Sequence, residues 1–276
     1  MKTVYISDLD GTLLNSDCKL SEETKRGLNK IIESGTAFTF ATARSPVSAN
    51  KIFGEINMNL PCILMNGVLI YDLSTHKYVK SENFCVEAVA GIISEIRKNK
   101  LTAFVYELCD NEFMTYYENL EQPQMHEFYQ SRVEAYGKRF TKVESIESIS
   151  KDGIIYFTLL YPHDVLKPVN DAVKKLDGVR TAFYQDIYSN GMWYLEIFSS
   201  SANKAEGVRF IREMGGYDRV VSFGDNLNDL PLFEASDVRC AVENAVADIK
   251  AKADVIIDSN NDNGVVRYIL SQTESE

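Results

Sequence analysis

The sequence has few of the residues on which zinc sites, disulfide frameworks and membrane spans depend. Its three histidines are far apart, so no two have the spacing of zinc ligands. The five cysteines are odd in number and contain no CxxC pair, which indicates free thiols in a reducing cytoplasm. No apolar run is long enough to cross a bilayer, and the start MKTVYISDLDG has no signal-peptide core. We therefore expect a cytoplasmic protein that makes no membrane contact.

Two nucleotide-binding fingerprints and an excess of positive charge are also absent. The chain has neither a G-x-G-x-x-G string nor a G-x-x-x-x-G-K-[ST] string, so neither a dinucleotide site nor a P-loop is expected. With 29 Lys and Arg against 40 Asp and Glu, the formal charge is −11. This charge repels nucleic acid and anionic lipid, so neither is an expected partner. A phosphorylated substrate would need local cations, backbone N–H groups or a bound metal.

The pattern of apolar runs predicts two domains in the 276 residues. In the first and last thirds, short β-rich runs alternate with segments of helical periodicity, which is typical of an α/β fold with a parallel sheet. The middle third is rich in Tyr and Phe and reads as an α+β insert. We predict one α/β domain from residues 1–83 and 199–276, with residues 84–198 inserted as a second domain.

Several apolar runs of the α/β part end on small polar or acidic groups. These groups are Asp8 to Thr12, Thr42, Asn66 with Gly67, and Gly224 to Asp229. The carboxyl ends of parallel strands lie at one edge of a sheet, where open α/β folds bind ligands. Residues far apart in the sequence are therefore expected to converge on one crevice.

Asp8 and Asp10 are separated by one residue, so both can face the crevice while Leu9 packs inward. One carboxylate can then attack a substrate while the other handles a proton. Gly11 allows a sharp turn whose N–H groups can hold phosphate oxygens. A plain strand-to-turn junction is the alternative, because Asp and Gly favour turns.

Asp225 and Asp229 form a second acidic pair, four residues apart, with Asn228 between them. Such hard oxygen ligands suit Mg²⁺, whereas the alternative interpretation is helix N-capping. Lys204 lies just before a predicted helix. It could supply the cation that several carboxylates and a phosphate require.

These motifs occur in register and together resemble the haloacid dehalogenase superfamily. The motifs are DLDGT at Asp8 to Thr12, Thr42 after a strand, Lys204, and GDNLND at Gly224 to Asp229. The insert resembles the α/β cap of subclass IIB. The string MNG at Met65 to Gly67 and Asn244 with Ala245 resemble the Cof-type sugar-phosphatase branch.

The resemblance implies a Rossmann-like core, a mobile inserted cap and a Mg²⁺-dependent phosphatase. Its substrate would be a small phosphorylated metabolite, with sugar phosphates first, hydrolysed through an aspartyl-phosphate. Asp8 would be the nucleophile, and Asp10 the general acid and then the base. The phosphate-binding residues implied are Gly11, Thr42, Ala43, Lys204 and Asn228. The metal would be held by Asp8, Asp10 through its carbonyl, Asp225 and, directly or through water, Asp229.

The resemblance also implies possible substrate contacts, and the sequence departs from the family pattern at two other positions. The possible contacts are Arg44, Asn66, Gly67 and Asn244. Ala43 and Ala205 stand where the family often has glycine. We expect slight backbone shifts there, not loss of activity, because each charged catalytic position is filled.

Two other functions stay open from the sequence. A phosphotransferase or phosphomutase would pass the phosphoryl group to a second substrate instead of water. A non-catalytic regulator would only bind a phosphorylated metabolite, although Asp10 argues against it because binding does not need a general acid.

Overall fold

The computed structural model describes residues 1–185 and 191–273. The strands described are β1 (Thr3–Ser7), β2 (Ala37–Phe40), β3 (Cys62–Leu64), β4 (Leu69–Asp72), β5 (Lys77–Ser81), β6 (Phe104–Cys109), β7 (Glu112–Tyr117), β8 (Thr141–Lys142), β9 (Ile154–Pro162), β10 (Val179–Gln185), β11 (Met192–Ser199), β12 (Arg219–Gly224), β13 (Val238–Val242) and β14 (Val255–Ile257). The helices described are α1 (Glu22–Glu33), α2 (Pro46–Phe53), α3 (Val86–Lys98), α4 (Pro123–Tyr136), α5 (His163–Val173), α6 (Lys204–Gly215), α7 (Leu230–Glu234), α8 (Ala247–Lys250) and α9 (Gly264–Thr273).

The chain divides into two compact units, Met1–Lys80 with Ala202–Glu276 and Ser81–Ser201. The first unit contains a five-stranded parallel sheet in the order β14-β13-β12-β1-β2. From β1 the chain continues to β2 on one side, whereas from β12 it continues to β13 on the other. The sheet therefore reverses its direction of growth between β1 and β12, where open α/β sheets form their ligand crevice.

Apolar side chains explain why this sheet forms. Along β1, Val4 and Ile6 are fully buried and pack in a cluster with Ile211 of α6 and Val220 of β12. Completely burying an aliphatic side chain of this size contributes roughly 1.5–3 kcal/mol. The polar residues that follow β1 and β12 are thus held on a rigid base.

Local sequence signals determine where the flanking helices begin. Ser21 caps α1 by accepting a hydrogen bond from the backbone N–H of Thr24. Asn203 caps α6 in the same way through the N–H of Glu206. Lys204 was expected just before this helix, but it is the first helical residue because Asn203 takes the cap position.

The second unit contains a six-stranded sheet in the order β10-β11-β9-β6-β7-β8. Its pairs are antiparallel except for β7 with β8. In α4, Phe128 packs against Phe104 of β6, with 5.1 Å between ring centroids. Lys138, which is buried among aromatic rings, lies 4.3 Å from the ring centroid of Tyr106. The Tyr and Phe of the middle third thus build the core of this unit.

The α/β fold with a parallel sheet is confirmed, although the apolar run before Asn66, which the sequence predicts as a strand of that sheet, forms β3 outside it. β3 pairs antiparallel with β4 in a separate three-stranded sheet. It meets the parallel sheet through a bridge between Ala41 and Ile63. The predicted ranges 84–198 and 199–276 also include residues 186–190 and 274–276, which lie outside the described residues. No helix among the described residues is long and apolar enough to span a membrane.

Candidate active site

The two central strands bring the two acidic motifs side by side. Ser7 at the end of β1 pairs with Phe223 of β12, and the N–H of Asp8 donates to the carbonyl of Phe223 at 2.9 Å. Each strand therefore delivers its acidic loop to the same edge of the sheet. Asp8 directly follows β1, and Asp225 directly follows β12.

A buried ion-pair network joins three predicted site residues. The Lys204 ammonium donates to Oδ1 of Asp8 at 2.5 Å and to Oδ1 of Asp229 at 2.7 Å. The three side chains are 2%, 5% and 0% exposed, respectively. Removing such charges from water costs several kcal/mol each, so each depends on the others for compensation. Residues from α6, β1 and the loop after β12 are thereby fixed around one point.

Asp229 also organises the loop that carries Asp225. Its Oδ2 accepts the backbone N–H groups of Asp225 at 3.0 Å and Asn226 at 3.2 Å. The Asn226 side chain caps the same turn reciprocally, so the capping interpretation of this motif describes part of its role. Both oxygens of Asp229 therefore accept hydrogen bonds from protein donors.

Burial and mutual repulsion shift the pKa values of this cluster. Burial, followed by the charge of Asp229, raises the pKa of Asp8 well above its ordinary value against the opposing effect of Lys204. The same two causes raise the pKa of Asp225 to about 6. Burial alone would lower the pKa of Lys204, but the charges of Asp229 and Asp8 outweigh it and raise that pKa. Asp8, Asp225 and Asp229 thus carry more negative charge than the Lys204 ammonium balances.

The donor set fits a hard divalent cation. One carboxylate oxygen from each of Asp8, Asp225 and Asp229 lies within 4.8 Å of the others. The hydrogen bonds from Lys204 and Thr12 engage Oδ1 of Asp8 and Oδ1 of Asp225, which leaves the Oδ2 atoms for a cation. Divalent ions such as Mg²⁺ prefer carboxylate oxygens, and a cation would relieve the repulsion that raises these pKa values.

The turn after Asp8 packs directly against Asp225. Gly11 has a φ of 79°, and a Cβ atom added there would lie 2.5 Å from Oδ2 of Asp225, so only glycine fits. The next residue, Thr12, donates its hydroxyl proton to Oδ1 of Asp225 at 3.0 Å. Sequence reasoning gave Thr12 no role, although its place in the DLDGT motif was a signal. Thr12 orients Asp225.

Asp10 is not a member of the three-carboxylate cluster, and its carboxylate pairs with Arg44. Nε of Arg44 donates to Oδ2 of Asp10 at 2.8 Å, and Nη2 donates to Oδ1 at 2.5 Å. The backbone N–H of Arg44 donates to the hydroxyl of Thr42 at 3.2 Å, which places the loop after β2 beside the Asp10 turn. Arg44 was predicted as a substrate contact, and its guanidinium here engages Asp10.

Asn244 braces the same turn from the loop after β13. Its amide Nδ2 donates to the carbonyl of Gly11 at 2.7 Å, while its Oδ1 accepts the N–H of Asn260 at 3.0 Å. Two residues later, the N–H of Val246 donates to the carbonyl of Asp225 at 2.9 Å. This loop therefore holds the backbones of both acidic loops.

Gly67 lies against the backbone that precedes Lys204. A Cβ atom at this position would lie 2.2 Å from the carbonyl oxygen of Asn203, so glycine permits the close approach. Asn66 has a φ of 59°, and its N–H donates to the carbonyl of Thr42 at 3.0 Å. Ala43 and Asn228 lie at exposed positions of their loops. The predicted roles of these four residues in binding phosphate or substrate stay predictions.

Comparison with known proteins identifies the family of this chain. The family of haloacid dehalogenase-like hydrolases matches residues 5–269. The 5-amino-6-(5-phospho-D-ribitylamino)uracil phosphatase of Bacillus subtilis is 24% identical, with 98% of this chain and 97% of that protein covered. The pyridoxal phosphate phosphatase of Escherichia coli is 23% identical, with 97% of each chain covered.

Solved structures show the same fold. A haloacid dehalogenase-like hydrolase from Bacteroides thetaiotaomicron has a TM-score of 0.82 at 22% identity, with 99% of this chain and 100% of that chain covered. A Thermotoga maritima protein has a TM-score of 0.80 at 24% identity, with 98% and 97% covered. The resemblance inferred from the four motifs is confirmed, and the chain belongs to the haloacid dehalogenase-like hydrolases.

Proposed function

We propose that this chain, a phosphoric monoester hydrolase of the superfamily, acts with Mg²⁺ on a small phosphorylated metabolite through phosphorylated Asp8. The observation that carries the proposal is the buried Lys204 ammonium between Asp8 and Asp229, beside Asp225. A nucleophile, a fixed cation and a cation-binding carboxylate set meet at one sheet edge. Phosphoryl transfer depends mainly on such positioning and charge stabilisation.

The chain's own residues supply the steps. One carboxylate oxygen of Asp8 attacks phosphorus, so an O–P bond forms as the bond from phosphorus to the ester oxygen breaks. Asp10 gives a proton to the leaving alcohol and later takes one from the water that hydrolyses phospho-Asp8. Lys204 stabilises the negative charge that develops beside Asp8.

The proposed cofactor is Mg²⁺, held by Asp8, Asp225 and the carbonyl of Asp10. Asp229 would assist directly or through water, and its oxygens also accept the N–H groups of Asp225 and Asn226, which orients the Asp225 loop. A bound Mg²⁺ supplies positive charge for the phosphoryl oxygens. We propose that Gly11, Thr42, Ala43 and Asn228 complete the phosphate site.

The proposed substrate is a small phosphorylated metabolite, with sugar phosphates first. Two relatives support the broader class, because one is named for a phosphorylated ribitylaminouracil and the other for pyridoxal phosphate. The likeness of the MNG string to sugar phosphatases supports the narrower one. We propose that residues 1–83 and 199–276 form the catalytic domain and that residues 84–198 determine the choice of substrate.

Phosphate release from a panel of phosphorylated metabolites tests the proposal. We expect turnover with Mg²⁺, loss of turnover with EDTA and recovery when Mg²⁺ is restored. The Asp8→Asn variant should show no turnover.

Radiolabelled phosphate on Asp8 should pass to water faster than to added sugar phosphates; preferential passage to a sugar phosphate would identify a phosphotransferase instead. Unchanged turnover of p-nitrophenyl phosphate in both Asp8→Asn and Asp10→Asn would contradict catalysis by these residues.

Asn244→Ala should lower kcat/KM about tenfold or more, because the Gly11 turn loses its brace and small displacements near the reacting atoms are costly. Asn244→Asp should be similarly impaired, since a carboxylate has no N–H for the Gly11 carbonyl. Steady-state kinetics with the best substrate of the panel would measure both. Asn59→Ala is the matched control, because the exposed Asn59 also donates one hydrogen bond to a backbone carbonyl in the same unit. Equal kinetics for Asn244→Ala and Asn59→Ala would contradict the bracing role.

A further inference from the structure

Arg44 and Asp10 form a bidentate ion pair. Nε and Nη2 of Arg44 reach different oxygens of the same carboxylate, at 2.8 Å and 2.5 Å. Two parallel hydrogen bonds from a planar guanidinium fix both the position and the rotation of a carboxylate. The Asp10 side chain is 48% exposed and that of Arg44 only 15%, so the arginine is the anchored partner.

Arg44 is held by contacts that do not involve Asp10. Nη1 donates to the hydroxyl of Ser48 in α2 at 3.1 Å. The backbone N–H of Arg44 donates to Thr42, and its carbonyl accepts the N–H of Met65 at 3.1 Å. The backbone of Arg44 and one nitrogen of its guanidinium are therefore held in place without Asp10.

Asp10 is not part of the cluster that the other three carboxylates form. Asp8, Asp225 and Asp229 share one cluster, whereas both oxygens of Asp10 face Arg44. A fourth carboxylate inside that cluster would add repulsion to a site that already has excess negative charge. A general acid must also be aimed at the ester oxygen, and a half-exposed Asp without a partner would sample several rotamers.

We propose, on the basis of the proposed function, that Arg44 is the positioning residue of Asp10. It holds the carboxylate outside the acidic cluster, in the orientation from which Asp10 serves the leaving-group oxygen. Arg44 therefore acts on the reaction through Asp10 and makes no essential contact with the phosphoryl group.

Substrates with different leaving groups separate this role from others. p-Nitrophenyl phosphate releases an anion stable without a proton, whereas phenyl phosphate, similar in shape, depends on a general acid. Arg44→Gln should lower kcat/KM for phenyl phosphate by about a hundredfold, in the range of general acid catalysis, and for p-nitrophenyl phosphate by less than about threefold. Arg44→Lys should stay impaired with phenyl phosphate, because a lysine ammonium cannot make the two parallel hydrogen bonds of a guanidinium. Full recovery of kcat/KM by Arg44→Lys would show that charge alone matters and would overturn the positioning role of Arg44.

Double substitution gives the decisive test. In the Asp10→Asn background, Arg44→Gln should have no further effect on kcat/KM, because residues that act as one unit are not additive. A further loss in that background, or a rise in KM shared by both substrates, would show that Arg44 contacts substrate itself and would overturn the inference. Arg209→Gln is the control for folding and general charge, since Arg209 is an exposed arginine paired with Glu206 in the same unit.

The same assays separate failure of this inference from failure of the proposed function. If Asp8→Asn abolishes turnover while the effects of Arg44→Gln and Asp10→Asn add, only the positioning role is wrong. If Asp8→Asn retains full turnover, the proposed function itself is wrong. Thermal unfolding of each variant identifies any loss of kcat/KM that comes from misfolding.

Discussion

Asp8→Asn is expected to abolish turnover and to stabilise the metal-free protein. Loss of a covalent nucleophile costs about 10⁴-fold or more in kcat. The asparagine oxygen can still accept the hydrogen bond from Lys204, while the buried negative charge next to Asp229 disappears. Residues selected for catalysis commonly reduce stability, so we expect the unfolding free energy at pH 7 in EDTA to rise by about 1 kcal/mol.

The pH dependence of stability follows from the same shifts. The raised pKa values of Asp8 and Asp225 mean that the folded state retains protons that the unfolded state has already released. Their contribution to stability is complete below the unfolded pKa and is lost as pH rises through the folded pKa. For Asp225 this window runs from its ordinary value of 3.8 to about 6. Metal-free wild type should therefore lose stability across this range, and Asp8→Asn should lose less.

Urea unfolding in EDTA between pH 4.5 and 7.5 would measure both effects. Asp254→Asn is the control of opposite sign, because hydrogen bonds from Arg239 lower the pKa of Asp254 to about 2. Asp254→Asn should leave the unfolding free energy at pH 7 unchanged or lower it. If Asp8→Asn were less stable than wild type at pH 7 without metal, the destabilisation assigned to the burial of Asp8 and its repulsion from Asp229 would be contradicted.

The parallel strands and the acidic cluster could be predicted because short apolar runs and their polar ends are local signals. Near the end of the sequence, the short apolar runs Val238–Val242 and Val255–Ile257 predict two strands, and these have the same bounds as β13 and β14. By contrast, α4 was not predicted, because Met125 is its one buried residue among those described and its periodicity is weak. Convergence of Asp8 and Asp225 followed from topology alone.

The side-chain pairs within the site could not be read from the sequence in the same way. Whether Arg44 reaches Asp10 or a substrate depends on the rotamers of both residues and on the contact with Ser48. Arg44 is 34 positions from Asp10 and 4 positions from Ser48. The bond from Asn244 to Gly11 spans 233 positions and depends on the loop after β13. Periodicity carries no information about such contacts.

Lys204→Met is expected to have the largest combined effect on activity and stability. Without the ammonium, Asp8 and Asp229 lose the cation that pairs with both of them and face each other as buried carboxylates. Breaking a buried ion pair from one side costs about 3–5 kcal/mol, and loss of one preorganised charge typically lowers kcat by about 10²–10³. Urea unfolding and steady-state kinetics measure the two losses, and Lys252→Met, an exposed lysine in the same unit, should show neither.

A double-mutant cycle with Asp8→Asn shows whether these losses arise from stranded charge. In Lys204→Met/Asp8→Asn, one carboxylate is left instead of two, so the double variant should be more stable than Lys204→Met. The coupling free energy should exceed about 1 kcal/mol, since contacting residues in one ion network are not additive. If the stability effects of the two substitutions simply add, Lys204 stabilises the fold through packing alone. The charge balance that makes Asp8 an available nucleophile would then need another source.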